Sequence, residues 1–185
     1  MNTGATLSSP HATLRAIEPE DVDFILSLEN DESMWAFGDQ RAPYSKATLN
    51  TYALTYDPDP LRSGQLRLII EDAEGEAAGA LDLFGIDPYS RHCWIGIGIV
   101  EAKRRKGLAT AALRLAVKYA TEILGIIAAG ACVAADNDKG RHLFEKAGFT
   151  LCGKLPEWYY YKGERKDILL YVALAGISSS RGRQA

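Results

Sequence analysis

One stretch constrains the fold more than any other. Between His92 and Ile123 the chain passes from a strand pattern, through a short basic loop, directly into its strongest helical pattern. The strand reads His92 to Val100, and within it Gly96-Ile97-Gly98-Ile99-Val100 carries glycine at alternate positions, stripping side chains from one face. A bare face of this kind marks a bulge or the close approach of another molecule. The helix reads residues 107 to 123, with Leu108, Ala112, Leu115, Tyr119 and Ile123 returning every three to four residues. Between them, Arg104-Arg105-Lys106-Gly107-Leu108-Ala109 brings unsatisfied N–H groups, a positive dipole end and three cations to one point. That combination attracts an anion, and the small Gly107 and Ala109 let a phosphate reach the main chain. The four consecutive cations Lys103 to Lys106 also read as a solvated patch or a nucleic-acid contact. Their position between a glycine-bearing strand and a helix start favours phosphate.

Two other phosphate signatures are missing. No G-x-x-x-x-G-K-[ST] occurs, and Gly96-x-Gly98 has Glu101 where a dinucleotide fingerprint needs its third glycine, so ATP and NAD are disfavoured. A net charge of -3 argues against a dedicated nucleic-acid binder. Cys93, Cys132 and Cys152 are too few and too scattered for a disulfide framework; they read as reduced thiols packed in a core, in a cytoplasmic protein. The longest apolar run, Ile123 to Ala135, is too short to span a bilayer and holds two glycines. No residues are assigned to a metal.

At 185 residues with 47% hydrophobic and 24% charged side chains, the composition fits one ordinary globular domain. Residues 1–12 are expected to form a flexible arm, 13–174 the domain, and 175–185 a disordered Ser/Arg tail. The domain opens with a strand at Thr13 to Ile17 and a helix from Pro19 to about Asn30. A loop from Asp31 to Tyr44 follows, holding Trp35 and Phe37, and then a helix capped by Ser45 and closed by Asp57-Pro58-Asp59-Pro60. Leu66 to Glu71, Ala77 to Ile86 and His92 to Val100 read as an antiparallel meander. After the long helix come a buried strand near Ala129 to Ala134, a helix at Asp138 to Ala147 ended by Gly148, and strands Thr150 to Tyr161 and Asp167 to Leu174.

The loop Arg104 to Ala109 resembles the [QR]-x-x-G-x-[GA] signature of the GNAT superfamily of N-acetyltransferases, which likewise opens a helix after a strand. Asn137 with Leu143-Phe144-Glu145-Lys146-Ala147-Gly148-Phe149 is similar to that family's N-x-x-(S/A)-x-x-L-Y-E-K-x-G-F segment. Leu14 to Asp21 and Lys166 to Tyr171 look like the branch holding ribosomal-protein and polyamine acetyltransferases. The resemblance covers about residues 13 to 174. It implies an α/β (α+β) fold: a mixed central sheet of about seven strands, splayed between the fourth and fifth, flanked by about four helices. It implies acetyl-CoA as co-substrate, held by Ile99, Val100, Arg104, Arg105, Lys106, Gly107, Leu108, Ala109, Thr110 and Asn137. The pantetheine arm is expected along the main chain of Ile99 and Val100, with Asn137 on its other side.

Acetyl transfer requires a neutral amine, and freeing an alkyl ammonium of its proton at pH 7 costs roughly 4 kcal/mol. Asp82, a charged side chain inside Ala80-Leu81-Asp82-Leu83-Phe84, is the candidate base, with a structural ion pair as its other reading. Many members of the resembling family carry a Glu two residues before the strand's glycine, where this chain has Trp94. The family's usual Tyr, which protonates the leaving thiolate, is Phe144 here; a thiol pKa of about 8.5 makes its loss a slowing, with water or a hydroxyl from Tyr159 to Tyr161 as substitutes, and Phe144 reads equally as core packing. Trp35, Tyr44 and Asp82 are expected to line the acceptor site. Polyamine enzymes of the branch have an acidic pair before Pro-Tyr, but here Arg41-Ala42 precedes Pro43-Tyr44, leaving Asp31, Glu32 and Asp39 as weak support. The expected activity is acetyl-CoA-dependent N-acetylation of a small-molecule amine or a peptide N-terminus by direct attack, without nucleic acid or membrane. The alternatives are a CoA-binding module with little catalysis and a polyamine N-acetyltransferase. Trp158 to Tyr161 is a candidate self-association surface.

Overall fold

A computed structural model describes residues 7–36 and 42–176. Phe37, Asp39, Arg41 and the expected tail from residue 177 lie outside the described residues, as does the arm up to residue 6. From Leu7 onward the arm is held. Leu14 N–H donates to Leu7 O at 2.8 Å, Ser8 bridges Thr13, and Ala12 is buried in the core. The apolar Leu7 and Ala12 supply the reason, since both pack against the same cluster as Leu14.

Seven strands form one sheet in the order β1-β2-β3-β4-β5-β7-β6. They are β1 (Thr13–Ala16), β2 (Gln65–Glu71), β3 (Ala77–Asp87), β4 (His92–Ile99), β5 (Ala128–Ala134), β6 (Thr150–Tyr161) and β7 (Glu164–Leu174). All neighbours run antiparallel except β4 and β5, whose parallel pairing joins only His92, Cys93 and Trp94 to Ala128, Ala129 and Gly130. Beyond that point the two strands separate, as the family resemblance implied. Between β3 and β4, a Cβ at Gly79 would lie 2.2 Å from Gly98 O, so this register admits glycine alone at that position.

Four helices of eight residues or more cover the sheet: α1 (Val22–Glu29), α3 (Lys46–Thr55), α5 (Leu108–Glu122) and α6 (Asp138–Ala147). Two single-turn helices, α2 (Glu32–Trp35) and α4 (Pro60–Ser63), occupy stretches expected to be loop. Each is started by an aspartate: Asp31 accepts from Ser33 N–H, and Asp59 from Leu61 N–H. One turn is too short to show a 3.6-residue period, which is why neither was expected. The sheet divides two cores by strand alternation. On one face Leu66, Leu68 and Ile70 join Leu81, Ile95 and the small-residue stripe Ala112, Ala116 and Ala120 of α5. On the other, Ile69 packs with Ile17, Val22, Ile25 and Leu49 beneath α1 and α3. The same alternation corrects the expectation for the cysteines. Cys93 is buried among the α5-side residues, whereas Cys132 and Cys152 are exposed, and none of the three is in a disulfide.

Candidate active site

The parting of β4 from β5 opens one continuous groove of about 1390 Å³, running from the start of α5 to the face of the sheet covered by α1 and α2. At one end Gly107 adopts φ 80°, a left-handed conformation that suits glycine, and delivers the chain into α5. The first bond of the helix is Ala111 N–H to Gly107 O at 3.1 Å, and no side chain caps it. The N–H groups of Leu108, Ala109 and Thr110 therefore leave the helix end without intrahelical acceptors. Thr110 is itself buried.

The cations of this loop divide in two. Lys103 Nζ pairs with Asp72 at 2.6 Å and with Glu76, which pins the β2–β3 turn to the loop. Those bonds hold its amine well above the ordinary lysine range. Arg104 turns inward, its Nε donating to Ile99 O at 2.8 Å and its Nη2 to Met34 Sδ at 3.1 Å. Arg105, at φ 66°, and Lys106 make no ion pair among the described residues. Two of the four cations are thus structural, which corrects the picture of three convergent charges at Arg104 to Lys106.

Val100 also differs from expectation. Its N–H donates to Ala78 O and its carbonyl accepts from Lys103 N–H, both at 3.0 Å, so its main-chain polar groups are committed within the fold. Antiparallel alternation then turns the polar groups of Ile97 and Ile99 toward the gap left by β5. Across the gap, Asn137 Oδ1 caps α6 by accepting from Gly140 N–H at 2.9 Å. Asn137 and Gly140 both line the groove.

The acceptor end is floored by the glycine face of β4 and by an ion-paired trio. Arg67 and Asp82 are direct partners across β2 and β3. Arg67 Nε and Nη2 reach the two Asp82 oxygens at 2.7 and 2.8 Å, and its Nη1 reaches Glu29 of α1 at 2.7 Å. Burial opposes the charge on Arg67, but the Asp82 hydrogen bonds and the two carboxylates outweigh it and raise the guanidinium above its ordinary value. Asp82 therefore takes the second of its two readings, as an ion-pair member with both oxygens engaged. Burial pushes the nearby Tyr52 hydroxyl up to about 12, so it remains a neutral phenol. A Cβ at Gly98 would lie 3.4 Å from the Met34 methyl, and one at Gly96 would lie 3.7 Å from Phe84, so the bare face lies directly under these side chains.

Trp35 and Tyr44 both line the groove. Trp35 is fixed by Nε1–H to Glu29 O at 2.7 Å, and its carbonyl accepts from Tyr159 O–H at 3.0 Å. Tyr159 faces the groove while Trp158 and Tyr160 point outward, so the aromatic strand divides between lining and open surface. Phe144 meets Phe149 edge-on at 5.1 Å and stacks on Tyr171 at 6.3 Å, and it also reaches the groove wall. Trp94 lies outside the lining. Arg67 and Glu29 escaped sequence reasoning, although Leu66-Arg67-Leu68 carries the same signal, a charge between apolar strand neighbours, that marked Asp82.

Comparison with known proteins agrees with this fold. The family model described as an acetyltransferase (GNAT) domain matches residues 11–150. YdaF of Bacillus subtilis, provisionally named a ribosomal N-acetyltransferase, is 30% identical over 89% of this chain and 91% of its own. The spermidine N(1)-acetyltransferase of Escherichia coli K12 is 29% identical over 88% of this chain and 86% of its own. Among solved structures, the Vibrio cholerae spermidine N-acetyltransferase in complex with CoA and spermine superposes with a TM-score of 0.80. It is 27% identical and covers 90% of this chain and 96% of its own. A dodecameric structure of that Vibrio enzyme superposes at 0.76, with 28% identity over 90% and 95% of the two chains.

Proposed function

The chain belongs to the GNAT acetyltransferase family and uses acetyl-CoA, and we propose that its groove joins a cofactor half at the start of α5 to an acceptor half above Arg67, Glu29 and Asp82. One observation carries the reading: the uncapped first turn of α5, behind the left-handed Gly107, opens at the mouth of the β4–β5 gap. The residues fit the cofactor. Free N–H groups from Leu108 to Thr110, with Arg105 and Lys106 beside them, suit a pyrophosphate. The outward main chain of Ile97 and the outward N–H of Ile99, whose carbonyl already accepts from Arg104 Nε, suit an amide-bearing arm with Asn137 opposite. Val100 contributes position only, because its polar groups are already satisfied.

In the acceptor half the protein orients a primary amine, on a small molecule or a peptide N-terminus, for direct attack on the thioester. The amine nitrogen bonds to the acetyl carbon, the carbon–sulfur bond breaks, and the electron pair leaves on sulfur while the ammonium loses its proton. Asp82 serves by holding Arg67 and the groove floor, and desolvation in the groove with ordered water supplies the neutral amine. Phe144 has no proton to donate, and the Tyr159 hydroxyl is engaged by Trp35, so the thiolate takes its proton from water. Homo-oligomer formation is supported by the dodecameric relative and by the exposed Trp158 and Tyr160 on edge strand β6. A cytoplasmic location is supported by three cysteines that form no disulfide. No described helix is long and apolar enough to cross a membrane. A nucleic-acid role is disfavoured by the commitment of Lys103 and Arg104 to internal contacts.

The test is free-thiol release from acetyl-CoA with a panel of amines and N-terminal peptides, beside a thermal-shift titration of acetyl-CoA. Stabilisation by acetyl-CoA together with amine-dependent release supports the reading. Stabilisation without release from any acceptor reduces the protein to a CoA-binding module.

A further inference from the structure

The acceptor half carries a charge count that the family membership does not dictate. Among the described residues on its floor, the charged side chains are Glu29, Asp82 and Arg67, while the cation Arg104 stands at the boundary with the cofactor half, bonded to Met34 and to Ile99 O. They are not independent, because both carboxylates bind the same guanidinium. The trio therefore presents one net negative charge at the floor, with a fixed cation at its centre. Around it stand five aromatic side chains: Trp35, Tyr44, Tyr52, Phe84 and Tyr159. Phe84 is 43% exposed and lies over the bare Gly96. Its cross-strand partner Trp94 lays its indole on Gly130, where a Cβ would come within 2.8 Å of the ring, and against Gly85 at 3.2 Å. The two glycines let the indole fill the space behind Phe84.

We infer that the acceptor is an amine bearing a single ammonium on an apolar or aromatic body, and that Phe84 is a specificity-determining residue for it. One excess negative charge matches one ammonium, and a second or third ammonium in the same groove would face Arg67 without a carboxylate of its own. The rings offer apolar area to the rest of the molecule, and their faces stabilise the ammonium as it enters. A polyamine satisfies the first condition at one nitrogen only. This assignment rests on the acetyl-transfer reading above and adds the substrate class to it.

The experiment compares kcat/KM for phenethylamine, ethylamine and spermidine on the wild-type protein and on Phe84→Glu, with the thermal stability of both proteins measured in saturating acetyl-CoA. For the wild type the expected order is phenethylamine, then ethylamine, then spermidine, with about tenfold or more between the first and the last. Phe84→Glu places a second net negative charge in the half, and the spermidine-to-phenethylamine ratio is expected to rise about tenfold. A wild-type rate constant for spermidine equal to or above that for phenethylamine overturns the assignment. So does a stable Phe84→Glu protein whose ratio does not move. Absence of turnover with all three amines counts against acetyl transfer to small amines and not against the acceptor class. Calorimetric binding of the same amines to the CoA-loaded protein then still decides the acceptor class, by the same order.

Discussion

Replacing Arg67 by methionine tests the groove floor most severely. The guanidinium and Glu29 are each 19% exposed and Asp82 is 32% exposed, so the substitution removes one cation from between two largely shielded carboxylates. Stranding a buried charge by deleting its partner costs about 3–5 kcal/mol, and the partial exposure of Asp82 places this case at about 3 kcal/mol. For a domain of this size each kcal/mol moves the midpoint by roughly 2–4 °C, so Arg67→Met is expected to melt roughly 6–12 °C lower. The triple variant Arg67→Met, Glu29→Gln, Asp82→Asn strands no charge and should recover most of that loss, whereas Arg67→Lys keeps the charge without the bidentate fork and should fall between. Urea unfolding at neutral pH reads all three. An Arg67→Met protein within about 0.5 kcal/mol of wild type, or a triple variant as damaged as the single, would refute the view that the trio is a closed electrostatic unit.

Three further outcomes follow from the same geometry. Gly107→Val forces a branched side chain into φ 80° at the helix start, so the KM for acetyl-CoA should rise about tenfold or more while the KM for the amine holds; equal changes in both would contradict a local cofactor role. Phe144→Tyr adds a hydroxyl at the groove wall and is expected to keep or raise kcat, whereas a lowered or collapsed rate counts against an acid role there. Burial opposes ionisation of Asp21, but the Arg15 hydrogen bonds and Glu18 N–H outweigh it and lower its pKa. Its stabilisation is thus complete above the ordinary carboxylate range and lost as pH falls through the lowered value; Arg15→Met should flatten this acid limb in thermal melts from about pH 5 downward, and an unaltered limb would exclude the pair as its source.

The segment from His92 to Ile123 was legible because three signals coincide there: alternate glycines, a basic loop with small residues at a helix start, and a strong helical period. The long elements around it were legible for the same reason, each repeating its pattern several times. Asp82 was found as a charge between apolar neighbours, with an ion pair as one of its two readings, but its partners were not. Arg67 stands fifteen residues earlier and becomes its partner only through the β2–β3 register, and Glu29 arrives from the end of α1. Lys103 and Arg104 looked equivalent to Arg105 and Lys106 because their partners Asp72, Glu76, Ile99 and Met34 come from three other elements. The fate of Val100 likewise depends on which strand edge pairs, a property of the sheet and not of the residue. One-turn helices and strand-face assignments such as that of Cys132 fall below the length at which periodicity speaks.

The central claim is that the uncapped start of α5 and the β4–β5 gap hold the cofactor. A crystal structure of the protein grown with acetyl-CoA tests it most directly. The account predicts pyrophosphate oxygens within hydrogen-bonding distance of the N–H groups of Leu108, Ala109 and Thr110, with the arm against Ile97 and Ile99 and the thioester above Gly96 and Gly98. A pyrophosphate held elsewhere, with the first turn of α5 still bonded only to water, would contradict it.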